Sequence, residues 1–171
     1  MALPDEHVRH LRRALAQAHK CTPSPSAFCV GCVLVVRGVV LATGHSRELP
    51  GNTHAEANAL ANARALSPAA LAALFPAAPP PASADDLLRA ADVYTTLEPC
   101  SVRTSGLAPC ADALIAARVR RCFVGVGEPD DFVKCEGAQR LIDAGIEVVW
   151  VKGLEDECLA AARRGHDSPS A

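Results

Sequence analysis

The sequence predicts an α/β fold in three layers, α/β/α, around a mixed five-stranded sheet with an initial antiparallel hairpin and later strands parallel. Three observations carry this. Two β-branched runs, "AFCVGCVLVV" and "VVLATG", flank Arg37-Gly38, the spacing of a hairpin. From Asp92 onward, short apolar runs alternate with stretches of helical periodicity, the pattern that crossover helices impose on parallel strands. Half of the 171 residues are apolar, enough for one continuous core, and residues 1–171 are expected to form a single domain with no room for a second catalytic one.

Taken in order, Pro4 can open a helix in which Val8, Leu11, Leu15 and Ala18 recur at helical spacing. Asp5 and Glu6 sit in its first turn, where the helix dipole favours anions. His7, His10 and His19 share this helix and are expected on its solvated face. The prolines of "TPSPS" end it, and the hairpin follows. "ELPGNT" then leads into a helix from His54 to about Leu66, with Thr53 or Asn52 as the expected cap. "SPAALAALFPAAPPPASADD", at about residues 67–86, is so rich in Ala and Pro that it is expected to be a surface insertion without a regular element. Strand "DVYTTLE", helix "CADALIAARV", strand "RCFVGV", helix "EGAQRLIDAG" and strand "IEVVWV" complete the sheet. The last helix, "LEDECLAAARRG", stops near Gly165.

Composition narrows the function. Seventeen basic residues face 19 acidic ones for a formal charge of -2, and the basic residues form no dense block. This argues against nucleic acid, which calls for a basic footprint, and an aromatic fraction of 4% offers few stacking platforms for single strands. A small neutral or anionic substrate fits better. The N-terminus is interrupted by charges, and no segment reaches the ~20 apolar residues of a membrane span. An intracellular, cytoplasmic protein with no membrane partner is expected, its eight cysteines reduced.

The chemistry concentrates in two stretches. "HAEANALANA" places Glu56 two residues after His54, and "TTLEPCSVRTSGLAPCADALI" places Cys100 after a strand and Cys110 at a helix start, each preceded by proline. One imidazole and two thiolates suit Zn²⁺, and three protein ligands leave the fourth position open, as in catalytic sites. On an ideal helix Glu56 would point nearly opposite to His54. At the first turn it can instead face water held by the metal, taking a proton from it and handing it on. A helix N-terminus at Cys110 favours thiolate over thiol. Cys29, Cys32 and Cys122, within apolar runs, are expected to be inert core thiols, and Cys21, Cys135 and Cys158 have no ligand at metal spacing.

The order H-x-E, P-C, then a second Cys is the signature of zinc-dependent nucleobase deaminases. Nine residues separate the two cysteines here, where common members have two. Through "VGCVLV", "PGNTHAEANAL", "YTTLEPCS", "PCADALI" and "VGVGEPDDFV", residues 22 to 151 resemble the pyrimidine deaminases of riboflavin biosynthesis. The phrases "RELPGNTHAE" and "SVRTSGLAP" are most similar to the fungal form. The resemblance implies a cytidine deaminase-like fold and one Zn²⁺ per chain, held by His54, Cys100 and Cys110, with Glu56 as proton shuttle. It also implies a likeness to homodimers. The implied substrate is a small-molecule pyrimidine nucleotide, 2,5-diamino-6-ribitylamino-4(3H)-pyrimidinone 5'-phosphate, losing ammonia from C2.

For the substrate pocket it suggests the backbone N–H of Ala55 and the carbonyl of Leu97 or Glu98 at the pyrimidine edge. Ser46 and Arg47 lie where bacterial members carry a substrate-binding His, and His45 adjoins them. Glu128 and Asp130 lie where the bacterial enzymes hold sugar hydroxyls. Arg103 and Lys134 are candidates for the phosphate. The bacterial Asn before the "VG" strand falls on Ala27, so that contact is either lost or replaced by Thr22 or Ser26. Two alternatives stay open: a deaminase of cytosine or adenine in nucleosides or RNA, and a structural zinc-binding or catalytically inactive module, against which the presence of Glu56 speaks.

Overall fold

The computed structural model describes residues 5–76, 83–103, 105–129 and 135–166. In chain order these form α1 (Asp5–Ala18), β1 (Gly31–Val36), β2 (Val39–His45), α2 (Ala55–Arg64), α3 (Pro68–Leu74), α4 (Ala84–Leu88), β3 (Asp92–Leu97), α5 (Cys110–Ala117), β4 (Arg121–Val126), α6 (Gly137–Asp143), β5 (Glu147–Trp150) and α7 (Glu155–Ala162). The sheet order is β2-β1-β3-β4-β5. β1 pairs antiparallel with both β2 and β3, while β3, β4 and β5 run parallel. The predicted mixed sheet, hairpin first, is therefore the observed one.

Side-chain alternation divides the molecule into layers. Cys32, Leu34, Val93, Cys122 and Val124 face one side and pack with Ala59, Leu60, Leu114 and Leu141 of α2, α5 and α6. Val33, Val35, Tyr94 and Phe123 face the other and pack with Leu11, Leu15, Leu154 and Cys158 along α1 and α7. At the hairpin, Arg37 and Gly38 both take positive φ, 52° and 78°, the two-residue turn whose twist matches the strands. Among the described residues no helix is long and apolar enough to cross a membrane.

Two expectations need correction. His7 and His10 are buried, not solvated. They continue the inward stripe of Leu11, Ala14, Leu15 and Ala18, and His7 stacks on Phe123 with its Nδ1 2.8 Å from the Tyr94 hydroxyl. His19 is exposed as expected. The stretch at 67–86 also contains regular structure. Ser67 caps α3 by accepting the Ala70 N–H, and Ser83 caps α4 by accepting the Asp86 N–H. Leu71, Phe75, Leu87 and Leu88 join the core, so apolar burial stabilises two short capped helices that composition had masked. Residues 77–82 of this stretch lie outside the described residues.

Candidate metal centre and cleft

The ends of β2, β3 and β4 and the starts of α2 and α5 meet at one edge of the sheet, where open α/β folds gather ligands. α2 is held there by close backbone packing on β2: a Cβ on Gly44 would collide with the carbonyl of Ala55 and the N–H of Ala59. The loop between them is stitched by Asn58, whose amide donates to the His45 carbonyl at 2.8 Å and to the Thr53 hydroxyl at 3.0 Å.

The helix N-cap is His54, not Thr53 or Asn52, and it makes no side-chain cap bond. Its imidazole is turned instead toward two sulfurs, with Nδ1 3.4 Å from Cys100 Sγ and 3.5 Å from Cys110 Sγ. The His54 backbone is extended, φ -101° and ψ 156°, and lies outside the helix that begins at Ala55, so the ideal-helix angle between residues two apart does not apply to His54 and Glu56. This resolves the geometric objection to Glu56, which lies in the first helical turn and lines the same cleft as His54 and Cys100.

Cys100 follows β3, and Cys110 is the first residue of α5 after Pro109. The Cys110 N–H donates to Cys100 Sγ at 3.3 Å, so the helix N-terminus at Cys110 stabilises negative charge on Cys100. The neighbouring Cys110 thiol and the His54 imidazole hold Cys100 below the ordinary thiol range, while Cys100 and burial push Cys110 up. Burial raises the Glu56 carboxyl, with the Cys100 charge adding to the effect and the Thr95 hydrogen bond opposing it.

Among the described residues, His54, Cys100 and Cys110 form the one cluster of three donors able to hold a metal ion, all within 4.8 Å of one another. Tetrahedral zinc with ordinary bond lengths sets its nitrogen and sulfur ligands about 3.6 Å apart, which the two His54 separations match. The donor set fits Zn²⁺, whose binding would displace the protons of the two thiols.

His54, Cys100 and Glu56 open into a cleft of about 310 Å³, which the fully buried Cys110 does not line. Of the residues named from sequence, Ser46, Arg47, Arg103 and Glu128 line it, as do Ser26, Ala27, Leu97 and Glu98. Ala55 does not; its side chain is buried in the core below. His45 also stays outside the cleft, its Nδ1 3.3 Å from Glu48, and Thr22 lends only its carbonyl to Arg47. Asp130 and Lys134 lie outside the described residues.

The Arg47 guanidinium is spent on the chain, donating to the carbonyls of Phe28 and Thr22 at 3.1 and 2.7 Å. Ser46 Oγ likewise accepts from the Val30 N–H. Arg103 donates to the Asn52 carbonyl at 2.6 Å. Glu128, half-buried, is pushed up to about 7 chiefly by burial. Phe28, Val30, Asn52, Val102 and Ser105 also line the cleft and were missed, because loop residues carry no periodicity that announces a wall.

The model of the cytidine and deoxycytidylate deaminase zinc-binding region matches residues 4–126. A diaminohydroxyphosphoribosylamino-pyrimidine deaminase of Schizosaccharomyces pombe is 40% identical over 163 residues, covering 95% of this chain and 36% of that protein. Riboflavin biosynthesis protein RibD of Escherichia coli is 33% identical over 146 residues, 85% of this chain and 33% of that one. The chain thus spans about a third of the length of these curated relatives. The crystal structure of Aspergillus oryzae Rib2 deaminase in complex with DARIPP superposes with a TM-score of 0.73 at 33% identity, over 95% of this chain and 92% of that one.

Proposed function

Since the chain belongs to the cytidine and deoxycytidylate deaminase zinc-binding family, we propose that it is a zinc-dependent pyrimidine deaminase. In this reading it hydrolyses the C2 amino group of 2,5-diamino-6-ribitylamino-4(3H)-pyrimidinone 5'-phosphate to the pyrimidinedione and ammonia, in riboflavin biosynthesis. The observation that carries the reading is the cluster of His54, Cys100 and Cys110 at a cleft that His54, Cys100 and the buried Glu56 line. The names of the relatives support the substrate class.

In the reaction, water adds to C2 and the C2–N bond breaks, leaving a carbonyl and NH₃. His54, Cys100 and Cys110 would hold the zinc, which when bound lowers the pKa of water to about 7 and so supplies a nucleophile at neutral pH. Glu56 takes the water proton and delivers it to a ring nitrogen, then takes the second proton from the new C2 hydroxyl and delivers it to the amino group as the C2–N bond breaks. Its burial, by raising its affinity for protons, suits both tasks.

At the cleft mouth Arg103 is our choice for the phosphate, because its guanidinium makes one hydrogen bond to the chain, to the Asn52 carbonyl, whereas that of Arg47 donates to two backbone carbonyls and to Cys29 Sγ. Glu128, and Asp130 beyond the described residues, are assigned to the ribityl hydroxyls, Ser46 and Arg47 to shaping the wall, and the Ala55 N–H to the ring edge. We read the protein as cytoplasmic, in keeping with eight cysteines that are all free thiols. We also read it as a homodimer with no nucleic-acid partner, and residues 1–171 as one deaminase domain.

The test is to purify the protein, measure bound zinc, and follow ammonia release from the ribitylamino nucleotide, cytidine and an RNA hairpin, with Glu56→Ala alongside. Release from the ribitylamino compound alone, abolished in Glu56→Ala, is expected. Release from cytidine or RNA but not from that compound would replace the reading with its enzymatic alternative, and bound zinc without any turnover would favour a structural module.

A further inference from the structure

Glu56 is buried, 3% exposed, against the face of the sheet that carries Cys32, Thr95 and Cys122. Thr95 sits at the centre of that floor, in register with Cys32 of β1 and Val124 of β4, and is 0% exposed. Its hydroxyl donates to Glu56 Oε1 at 2.8 Å and has the Leu97 carbonyl as a second acceptor at 3.0 Å. The next residue, Thr96, projects to the opposite face, where its Oγ1 accepts the Gly31 N–H. Two adjacent threonines thus have different tasks. Thr96 accepts a backbone N–H of β1 and so ties two strands together, whereas Thr95 turns its one proton toward a carboxyl oxygen.

A glutamate has three side-chain torsions, and a proton carrier loses effectiveness when its carboxyl wanders by an ångström. We propose that Thr95 is a positioning residue for Glu56, pinning Oε1 to the sheet so that the second carboxyl oxygen is presented to the cleft beside His54 and Cys100. The β-branched side chain suits this, since its torsion is already restricted within a strand, and the Leu97 carbonyl restrains the hydroxyl from the far side. The inference rests on the deaminase reading, in which Glu56 carries the proton.

The test compares zinc-loaded Thr95→Val, of equal shape but without the donor, with Thr95→Ser, which keeps it. One hydrogen bond to a charged group, lost at the reacting centre, is expected to lower kcat by about 10- to 100-fold. KM should stay within about twofold and bound zinc should be unchanged, because neither substrate nor metal is touched. Thr95→Ser should restore most of kcat. Wild-type kcat in Thr95→Val, equal damage in Thr95→Ser, or a loss that appears in KM or zinc content would overturn the inference. Thr95→Ala carries the same expectation if valine prevents folding. A crystal structure of the zinc-loaded valine variant gives a readout independent of activity: a displaced Glu56 carboxyl supports the inference, and an unmoved one overturns it. Absence of ammonia release from the wild type would instead defeat the deaminase reading, leaving the crystallographic comparison to decide this one.

Discussion

His54 Nδ1 lies 3.4 Å from Cys100 Sγ, although 46 positions separate the two residues along the chain. The contact joins the first turn of α2 to the end of β3, and Cys110 closes it from α5. Three secondary-structure elements therefore converge on one point before any ion is considered.

Removing one donor should cost the metal. Loss of an outer partner of a metal ligand lowers affinity by about 10- to 100-fold, and loss of a ligand itself should exceed that. His54→Ala and Cys100→Ser are expected to retain far less than the wild-type zinc content after dialysis, as read by elemental analysis. Zinc retained at the wild-type level in either variant would exclude these residues as ligands.

Glu56→Gln should separate binding from chemistry. The amide keeps the shape and can still accept the Thr95 hydrogen bond, but it cannot take a proton. Zinc content should match the wild type while ammonia release falls by about 10²- to 10⁴-fold, the usual contribution of general acid–base catalysis.

The seat of α2 should be intolerant of a single methyl group. In Gly44→Ala the new Cβ would collide with the Ala55 carbonyl and the Ala59 N–H, and both are backbone atoms of the helix that carries Glu56. We expect a loss of about 1–3 kcal/mol in denaturant unfolding, the usual cost of overpacking, together with reduced zinc content as the first turn moves away from Cys100.

Asp92 should give a pH signature remote from the cleft. Burial pushes its carboxyl up, but hydrogen bonds from Arg121 and Arg120, both 2.7 Å at their closest, outweigh this and hold it below the ordinary carboxylate value of 3.8. A carboxyl depressed in the folded state contributes stability above its unfolded pKa and loses it as pH falls toward the folded one. Asp92→Asn should therefore be about 1–3 kcal/mol less stable than the wild type at neutral pH. The gap should narrow as pH falls below about 4, as read by urea unfolding of both proteins at each pH. A gap that stays constant with pH would show that packing, not charge, is what Asp92 provides.

What could be read from the chain follows from how far each signal reaches. Hairpin, alternating strands and helices, and the order of His54, Glu56, Cys100 and Cys110 are legible because they depend on local periodicity or on residue types that few other chemistries use. The helices in 67–86 were missed although Ser67-Pro68 and Ser83 are good caps, since proline-rich composition spoke against any regular element. The burial of His7 and His10 is hard to read from sequence because their polarity points to solvent while only their spacing from Leu11 and Ala14 points inward.

The sequence by itself determined the layer architecture, the family and the set of donors, because each is written in side-chain chemistry and spacing. Only the tertiary structure decided that His54 caps its helix with its ring turned to the two sulfurs, that Cys100 is the sulfur facing the α5 N-terminus, and that Arg47 is engaged with the chain. It likewise singled out Thr95, which in sequence is one more β-former in "YTTL". The physical reason is common to all four: a hydrogen bond or a thiolate is selected by what lies within about 3 Å in space, and for these groups most of the partners lie ten or more residues away along the chain.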